Sequence, residues 1–91
     1  MRTMIDVFLA ECPRMLDEVR EALGAQDAPR LRRAGHSLKG SCGYFAASAA
    51  YDAAFRVEQL GEAGDFDSAA SAIEELHSQI SRLQPALAEF R

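Results

Sequence analysis

Residues 66–90, with the sequence FDSAASAIEELHSQISRLQPALAEF, carry the strongest repeating pattern in the chain. Apolar residues recur there every three or four positions, a spacing that places them on one face of an α-helix. The sequence predicts that this helix begins after Asp65 and that Pro85 bends its last turns. The apolar face consists of Phe66, Ala70, Ile73, Leu76, Ile80, Leu83, Leu87 and Phe90.

The N-terminal segment shows the same periodicity. It predicts a first helix that ends at Gly24. Pro13 is expected to kink or restart this helix, because proline removes one backbone hydrogen bond. The apolar stripe of the helix consists of Ile5, Phe8, Leu9, Cys12, Leu16, Val19 and Leu23.

Two further helices are predicted between these segments. Asp27 caps the second helix, which tolerates Pro29 in its first turn and runs to about Phe45. The third helix starts near Ser48 and ends within residues 61–64, at a pair of glycines. The residues expected to be buried are Leu31, Ala34, Leu38, Cys42 and Phe45 on the second helix, and Ala47, Ala50, Ala54 and Val57 on the third.

The order of these segments predicts the fold. Four amphipathic helices follow one another with short connections, and the sequence contains no strand pattern, internal repeat or low-complexity linker. We therefore expect an all-α protein, an antiparallel up-and-down four-helix bundle. A length of 91 residues suits one small domain, so residues 1–91 are expected to form a single domain.

Composition excludes several classes of function. The net charge of −4 and the pI near 5.0 argue against binding to nucleic acid or to an anionic membrane. No apolar run approaches the roughly 18 residues of a membrane span, and residues 1–4 lead into an amphipathic pattern, not a signal peptide. Cys12 and Cys42 lack metal-ligand and CxxC spacing, which indicates buried thiols in a cytosolic protein.

The run HSLKGSCGYF, residues 36–45, contains the candidate functional residue, His36. Helical geometry places its ring opposite the apolar face of the second helix. Glycine inside a helix costs roughly 1 kcal/mol relative to alanine, so glycines beside an outward histidine predict clearance for a partner that approaches the ring. The face that His36 shares consists of Pro29, Arg32, Arg33, Lys39, Gly40 and Gly43.

Glu58 is the candidate partner of His36. If two antiparallel helices are joined around residue 47, residues whose numbers sum to about 94 lie at the same height, and Glu58 is then level with His36. A carboxylate that accepts a hydrogen bond from one ring nitrogen fixes the tautomer and leaves the other nitrogen unprotonated and outward. The alternative is that Glu58 is a solvated residue on the flank of its helix.

The segment HSLKG, residues 36–40, resembles the signature of histidine phosphotransfer (HPt) domains, the four-helix carriers of bacterial and plant phosphorelays. Residues 43–45 and Glu58 are similar to the N-terminal phosphotransfer domains of chemotaxis-type histidine kinases, in which a glutamate at this position pairs with the phosphorylated histidine. The resemblance covers nearly the whole chain, because the first helix also resembles HPt domains at Phe8, Glu11, Pro13 and Leu16.

The resemblance implies a phosphocarrier of a two-component phosphorelay. His36 would accept a phosphoryl group from a histidine kinase catalytic domain or from the aspartyl phosphate of a response-regulator receiver domain, and would pass it to a receiver aspartate. Glu58 would orient His36, and Lys39, which belongs to the motif, would stabilise the charge of the phosphate. The residues expected to dock the partner are Arg32, Arg33, Gly40 and Gly43.

Cofactors are expected on the partners. The sequence has no glycine-rich phosphate loop and no cluster of acidic metal ligands near His36. ATP and magnesium would therefore belong to partner domains, and this domain would bind no cofactor or metal and could not phosphorylate itself. The protein would be cytoplasmic, either as a whole protein or as a fragment of a histidine kinase.

Two other functions stay open. A non-catalytic helical adaptor or docking bundle would use the same face for binding and would survive loss of the imidazole. A metal-binding bundle is disfavoured, because His36 and His77 lie on different helices. We interpret His77 as a residue at the boundary of the core.

Overall fold

The computed structural model describes residues 4–44 and 48–89. In that part of the chain four helices form: α1 Met4–Gly24, α2 Ala28–Tyr44, α3 Ser48–Ala63 and α4 Phe66–Ala88. Helices α1 and α3 each pack against both α2 and α4. The described residues thus form the all-helical bundle that the sequence predicts, and no helix among them is long and apolar enough to cross a membrane.

Aspartates begin two of the helices. Asp27 accepts a hydrogen bond from the backbone N–H of Arg30 (3.2 Å), and Asp65 accepts one from the N–H of Ser68 (3.1 Å). Each bond satisfies an N–H group that has no partner inside its helix. The bonds from Ser68 also lower the pKa of Asp65 below its ordinary value. The predicted starts of α2 and α4 are confirmed.

The ends of α1 and α3 also lie where the sequence predicts them, but the break predicted inside α1 is absent. α1 ends at Gly24, and α3 ends just before Gly64, whose positive φ of 71° favours glycine. The predicted restart at Pro13 is wrong, because α1 runs through Pro13 as one helix. Pro13 is exposed, and the backbone hydrogen bond that it cannot donate is one of many in a helix of 21 residues.

One apolar core joins the four helices. Cys12 and Cys42 lie inside it as free thiols. Burial raises the pKa of Cys12 to about 12 and that of Cys42 to about 11, so both thiols stay protonated and unreactive. The largest fully buried side chains include Val19, Leu31, Leu38, Val57, Ile73, Leu76 and Ile80.

The apolar stripe of α4 is shifted by one position from the prediction at its N-terminal end. Ala70 is exposed, whereas Ala69 and Ala72 are buried. Adjacent alanines are equally small and apolar, so their spacing alone does not decide which of them faces the core. The predicted core residues Phe45, Ala47 and Phe90 lie outside the described residues, as does the connection around residue 47.

Two glycines allow α2 and α3 to pack closely. A Cβ atom on Gly35 would lie 2.7 Å from the backbone nitrogen of Glu58, and one on Gly61 would lie 2.8 Å from that of Arg32. A methyl group at either position would collide with backbone atoms, which cannot move aside as a side chain can. The glycines therefore bring the backbone of α3 to the flank of α2 beside His36.

Candidate functional site

His36 projects from the outer side of α2. Its side chain is 64% exposed, whereas Leu31, Ala34 and Leu38 on the opposite face of the helix are buried. Those residues fix the rotation of α2 about its axis, because turning the helix would expose them to water. The ring is thus open to a second molecule while its backbone is held by the core.

Glu58 of α3 contacts the ring nitrogen that faces the bundle. Its Oε2 lies 2.9 Å from Nδ1 of His36, and the residue is buried. The ammonium of Lys39, followed by the bond from His36, lowers the pKa of Glu58 against the opposing effect of burial. An ionised carboxylate can only accept a hydrogen bond, so the neutral ring carries its hydrogen on Nδ1 and presents the Nε2 lone pair.

Lys39 lies on the other side of the same carboxylate. Its Nζ is 2.8 Å from Oε1 of Glu58 and 4.8 Å from the centre of the Phe55 ring. The Glu58 carboxylate raises the pKa of Lys39. The two side chains form an ion pair. Lys39 therefore leans toward α3, and only 18% of its side chain is exposed.

Arg32 and Arg33 are exposed and lie one turn before His36. The backbone of Arg32 packs against Gly61 on the α3 side. Arg33 is on the α1 side, where it adds to the effect of Arg30 in lowering the pKa of Glu18. The two predicted docking cations thus neighbour different helices, Arg32 α3 and Arg33 α1.

The two glycines that the sequence singles out have different surroundings. A Cβ atom on Gly40 would meet no described atom within 4 Å outside its own stretch of helix. A Cβ atom on Gly43 would lie 3.1 Å from Cδ2 of Tyr51 on α3. Gly40 therefore leaves open space beside His36, whereas Gly43 makes room for the Tyr51 ring.

An open groove runs beside His36 between α1 and α2, with a volume of about 560 Å³. Met4 and Val7 form part of its wall and are exposed apolar side chains. His36 lies at the edge of the groove. Its other walls are formed by Phe8, Glu11, Met15, Ser37, Gly40 and Ser41.

The second histidine lies elsewhere. His77 is half-buried on α4, and its Nδ1 contacts the guanidinium of Arg20 on α1. Within residues 4–44 and 48–89, no three His, Cys, Asp or Glu side chains are grouped so that they could hold a metal ion. The two histidines therefore occupy separate environments, one at an open groove and one beside a cation.

Three residues that shape the site were not found from the sequence: Gly35, Gly61 and Phe55. The position of Phe55 could have been predicted from the register of the second and third helices. In the register that places Glu58 level with His36, Phe55 is level with Lys39, and the structure brings both pairs into contact. The glycines carried no such signal, because a glycine on a helix predicts close packing only once the facing backbone is known.

The ion pair of Glu58 predicts a pH dependence of stability. Because folding lowers the pKa of Glu58, its contribution is complete above the pKa of an unfolded glutamate, about 4.3. The contribution is lost as the pH falls through the lower folded value. We expect Glu58→Gln to unfold at lower urea concentration than the wild type at pH 7, and the difference to shrink steadily below about pH 4.3. A difference independent of pH would contradict the ionic role of Glu58.

Comparison with known families supplies an independent finding. The family model described as Hpt domain matches residues 3–86 of the chain. The match extends from the start of α1 almost to the end of α4 and includes His36, Lys39 and Glu58. No significant match to a curated protein or to a solved structure was found.

Proposed function

The chain belongs to the Hpt domain family, and from this premise we propose that His36 carries a phosphoryl group in a phosphorelay. His36 accepts the group from a histidine kinase catalytic domain or from the aspartyl phosphate of a receiver domain, and passes it to a receiver aspartate. The observation that carries the proposal is an exposed ring whose Nδ1 lies 2.9 Å from a buried carboxylate.

The geometry supports attack by Nε2 of His36. The Nε2 lone pair forms the N–P bond while the P–O bond to ADP, or to the receiver aspartate, breaks. No proton has to leave the ring, because the hydrogen stays on Nδ1. The ring becomes positively charged, and the carboxylate of Glu58 stabilises that charge through the Nδ1–H bond. In the reverse step the N–P bond breaks and the neutral ring returns.

In this proposal three cationic side chains of the domain assist phosphoryl transfer. Lys39 stabilises the charge on the phosphoryl oxygens, because a dianionic group on Nε2 competes with Oε1 of Glu58 for its ammonium. Arg32 and Arg33 meet acidic groups of the partner on either side of α2. The partner supplies ATP and magnesium, since phosphoryl transfer depends mainly on positioning and on neutralisation of charge.

The groove between α1 and α2 is the proposed docking site of the receiver domain. Its exposed apolar side chains, Met4 and Val7, suit an apolar helix of the partner. Gly40 leaves space for that helix to approach His36, and so we assign the clearance to Gly40. Gly43 contributes indirectly, through the position of Tyr51.

We expect Gly40→Leu to slow phosphoryl transfer between this domain and a receiver by about tenfold or more, since small displacements of reacting groups have large effects on rate. The bundle should stay as stable as the wild type, or gain up to about 1 kcal/mol from the better helix propensity of leucine. Rapid-quench transfer kinetics and urea unfolding measure the two effects. Unchanged kinetics would show that the receiver does not pass over Gly40.

The proposal also includes the path of the helices, the similarity to chemotaxis-type kinases and the cellular location. The pairing of Gly35 with Glu58 and of Gly61 with Arg32 supports opposite directions for α2 and α3, and with them an up-and-down path. The glutamate at Nδ1 of His36 supports a similarity to the phosphotransfer domains of chemotaxis-type kinases. The free buried thiols support a reducing, cytoplasmic location.

The proposal is tested by incubation with a panel of phosphorylated receivers, and with kinase domains supplied with labelled ATP and magnesium. We expect acid-labile, base-stable phosphate to appear on the protein with at least one donor, and to pass on to a receiver. Labelled ATP and magnesium without a kinase domain serve as the control and should give no label. Absence of label with every donor would contradict the proposal.

A further inference from the structure

Phe55 is a large apolar side chain that the bundle leaves on its surface. It lies on α3 one turn before Glu58, and 40% of it is exposed. The Tyr51 ring lies beside it, with ring centroids 6.5 Å apart and planes tilted by 48°. The groove between α1 and α2 does not include Phe55, so the ring belongs to the other flank of His36.

The ring of Phe55 lies beside the ammonium of Lys39. The ammonium lies 4.8 Å from the ring centre, a distance at which the π face attracts a cation. On its other side the ammonium meets Oε1 of Glu58 at 2.8 Å. An ammonium is a point charge on a flexible stem, so one carboxylate oxygen does not by itself define where the lysine side chain rests.

We infer that Phe55 is a positioning residue for phosphoryl transfer, an inference that rests on the proposed function of His36. Its ring keeps Lys39 on Oε1 of Glu58, and the carboxylate held in this way keeps Oε2 on Nδ1 of His36. Phe55 touches no reacting atom and acts through Lys39 and Glu58. The order of contacts is aromatic ring, ammonium, carboxylate and imidazole.

The inference predicts what happens when the ring is lost. In Phe55→Leu, apolar bulk remains but the π face is gone, so Lys39 moves into solvent. The carboxylate of Glu58 then loses the partner of Oε1 and samples further rotamers. The ring of His36 is held less firmly in the tautomer with hydrogen on Nδ1, and fewer molecules present the Nε2 lone pair.

The test uses the folded domain without any partner protein. Nitrogen NMR of the His36 ring measures its tautomer populations, and the ring-current shift of the Lys39 side-chain protons measures its place over Phe55. Potassium phosphoramidate, a small phosphoryl donor, measures the rate of phosphorylation of His36. The variants are Phe55→Leu and the conservative Phe55→Tyr, each checked for wild-type circular dichroism.

For Phe55→Leu we expect loss of the ring-current shift, a larger fraction of the tautomer with hydrogen on Nε2, and a rate about two- to fivefold lower. Phe55→Tyr keeps the π face, so all three readouts should stay at their wild-type values. Wild-type tautomer populations and rate in Phe55→Leu would overturn the inference and leave the function of His36 intact. Slower transfer from a receiver, with unchanged tautomers and phosphoramidate rate, would also overturn it and make Phe55 a partner contact.

Failure of the proposed function would look different. In that case the wild type itself would acquire no phosphate on His36 from any donor. The tautomer populations of the wild type and Phe55→Leu would still report whether Phe55 orients the ring through Lys39 and Glu58. The two ideas therefore fail on separate measurements.

Discussion

His36→Gln is expected to abolish phosphate uptake from every kinase domain and receiver that labels the wild type. The amide of glutamine has no lone pair able to form an N–P bond, although it can still donate a hydrogen bond to Glu58. Because the His36 side chain is 64% exposed, its replacement should change the free energy of unfolding by no more than about 0.5 kcal/mol. Label incorporation and urea unfolding measure the two effects.

His77→Gln is the matched control, because it removes the other histidine of the chain. We expect it to be labelled at the wild-type rate, since His77 lies beside Arg20 and away from the groove. Persistent labelling of His36→Gln would contradict the assignment of the phosphorylated residue. A different result would favour a docking bundle: the wild type is never labelled, and His36→Gln still binds the partner.

Gly35→Ala is expected to have the largest effect on stability. Its new methyl group would lie 2.7 Å from the nitrogen and 3.0 Å from the Cα of Glu58, so α2 and α3 must separate. Overpacking of this kind costs about 1–3 kcal/mol, which in a domain of this size lowers the Tm by about 5–20 °C. The separation should also lengthen the contact between His36 and Glu58.

Gly40→Ala, on the same helix, separates this packing effect from helix propensity. Its methyl group would meet no described atom within 4 Å beyond its own stretch of helix, so we expect a gain of up to about 1 kcal/mol. Thermal unfolding of the two variants measures the comparison. Equal stabilisation by both substitutions would show that the helices do not approach closely at Gly35.

The fold could be predicted because each helix carries its own signals. Asp27 and Asp65 mark helix starts that the structure confirms, and the apolar period selects the buried face. The failures have local causes. Between Ala69 and Ala70 the sequence offers no difference in size or polarity, so only the packing against the other helices decides. Pro13 removes one backbone hydrogen bond, and a helix of 21 residues tolerates its loss.

Helix geometry allowed only part of the site to be predicted. The pairing of His36 with Glu58 followed from the height of two residues on neighbouring helices. The position of Lys39 did not, because its long side chain can extend into water or fold onto α3. In the structure Lys39 contacts Phe55 and Glu58, which both belong to another helix. Side-chain direction at the surface thus depended on tertiary contacts that the sequence pattern does not contain.

The most direct measurement is the identity of the phosphorylated atom. After phosphorylation by a cognate donor, nitrogen and phosphorus NMR of protein labelled at its histidine ring nitrogens detects the N–P bond. Because Glu58 binds Nδ1 of His36, we predict phosphorus on Nε2 of His36 and hydrogen on Nδ1. Phosphorus on Nδ1, on His77 or on a carboxylate would contradict the account.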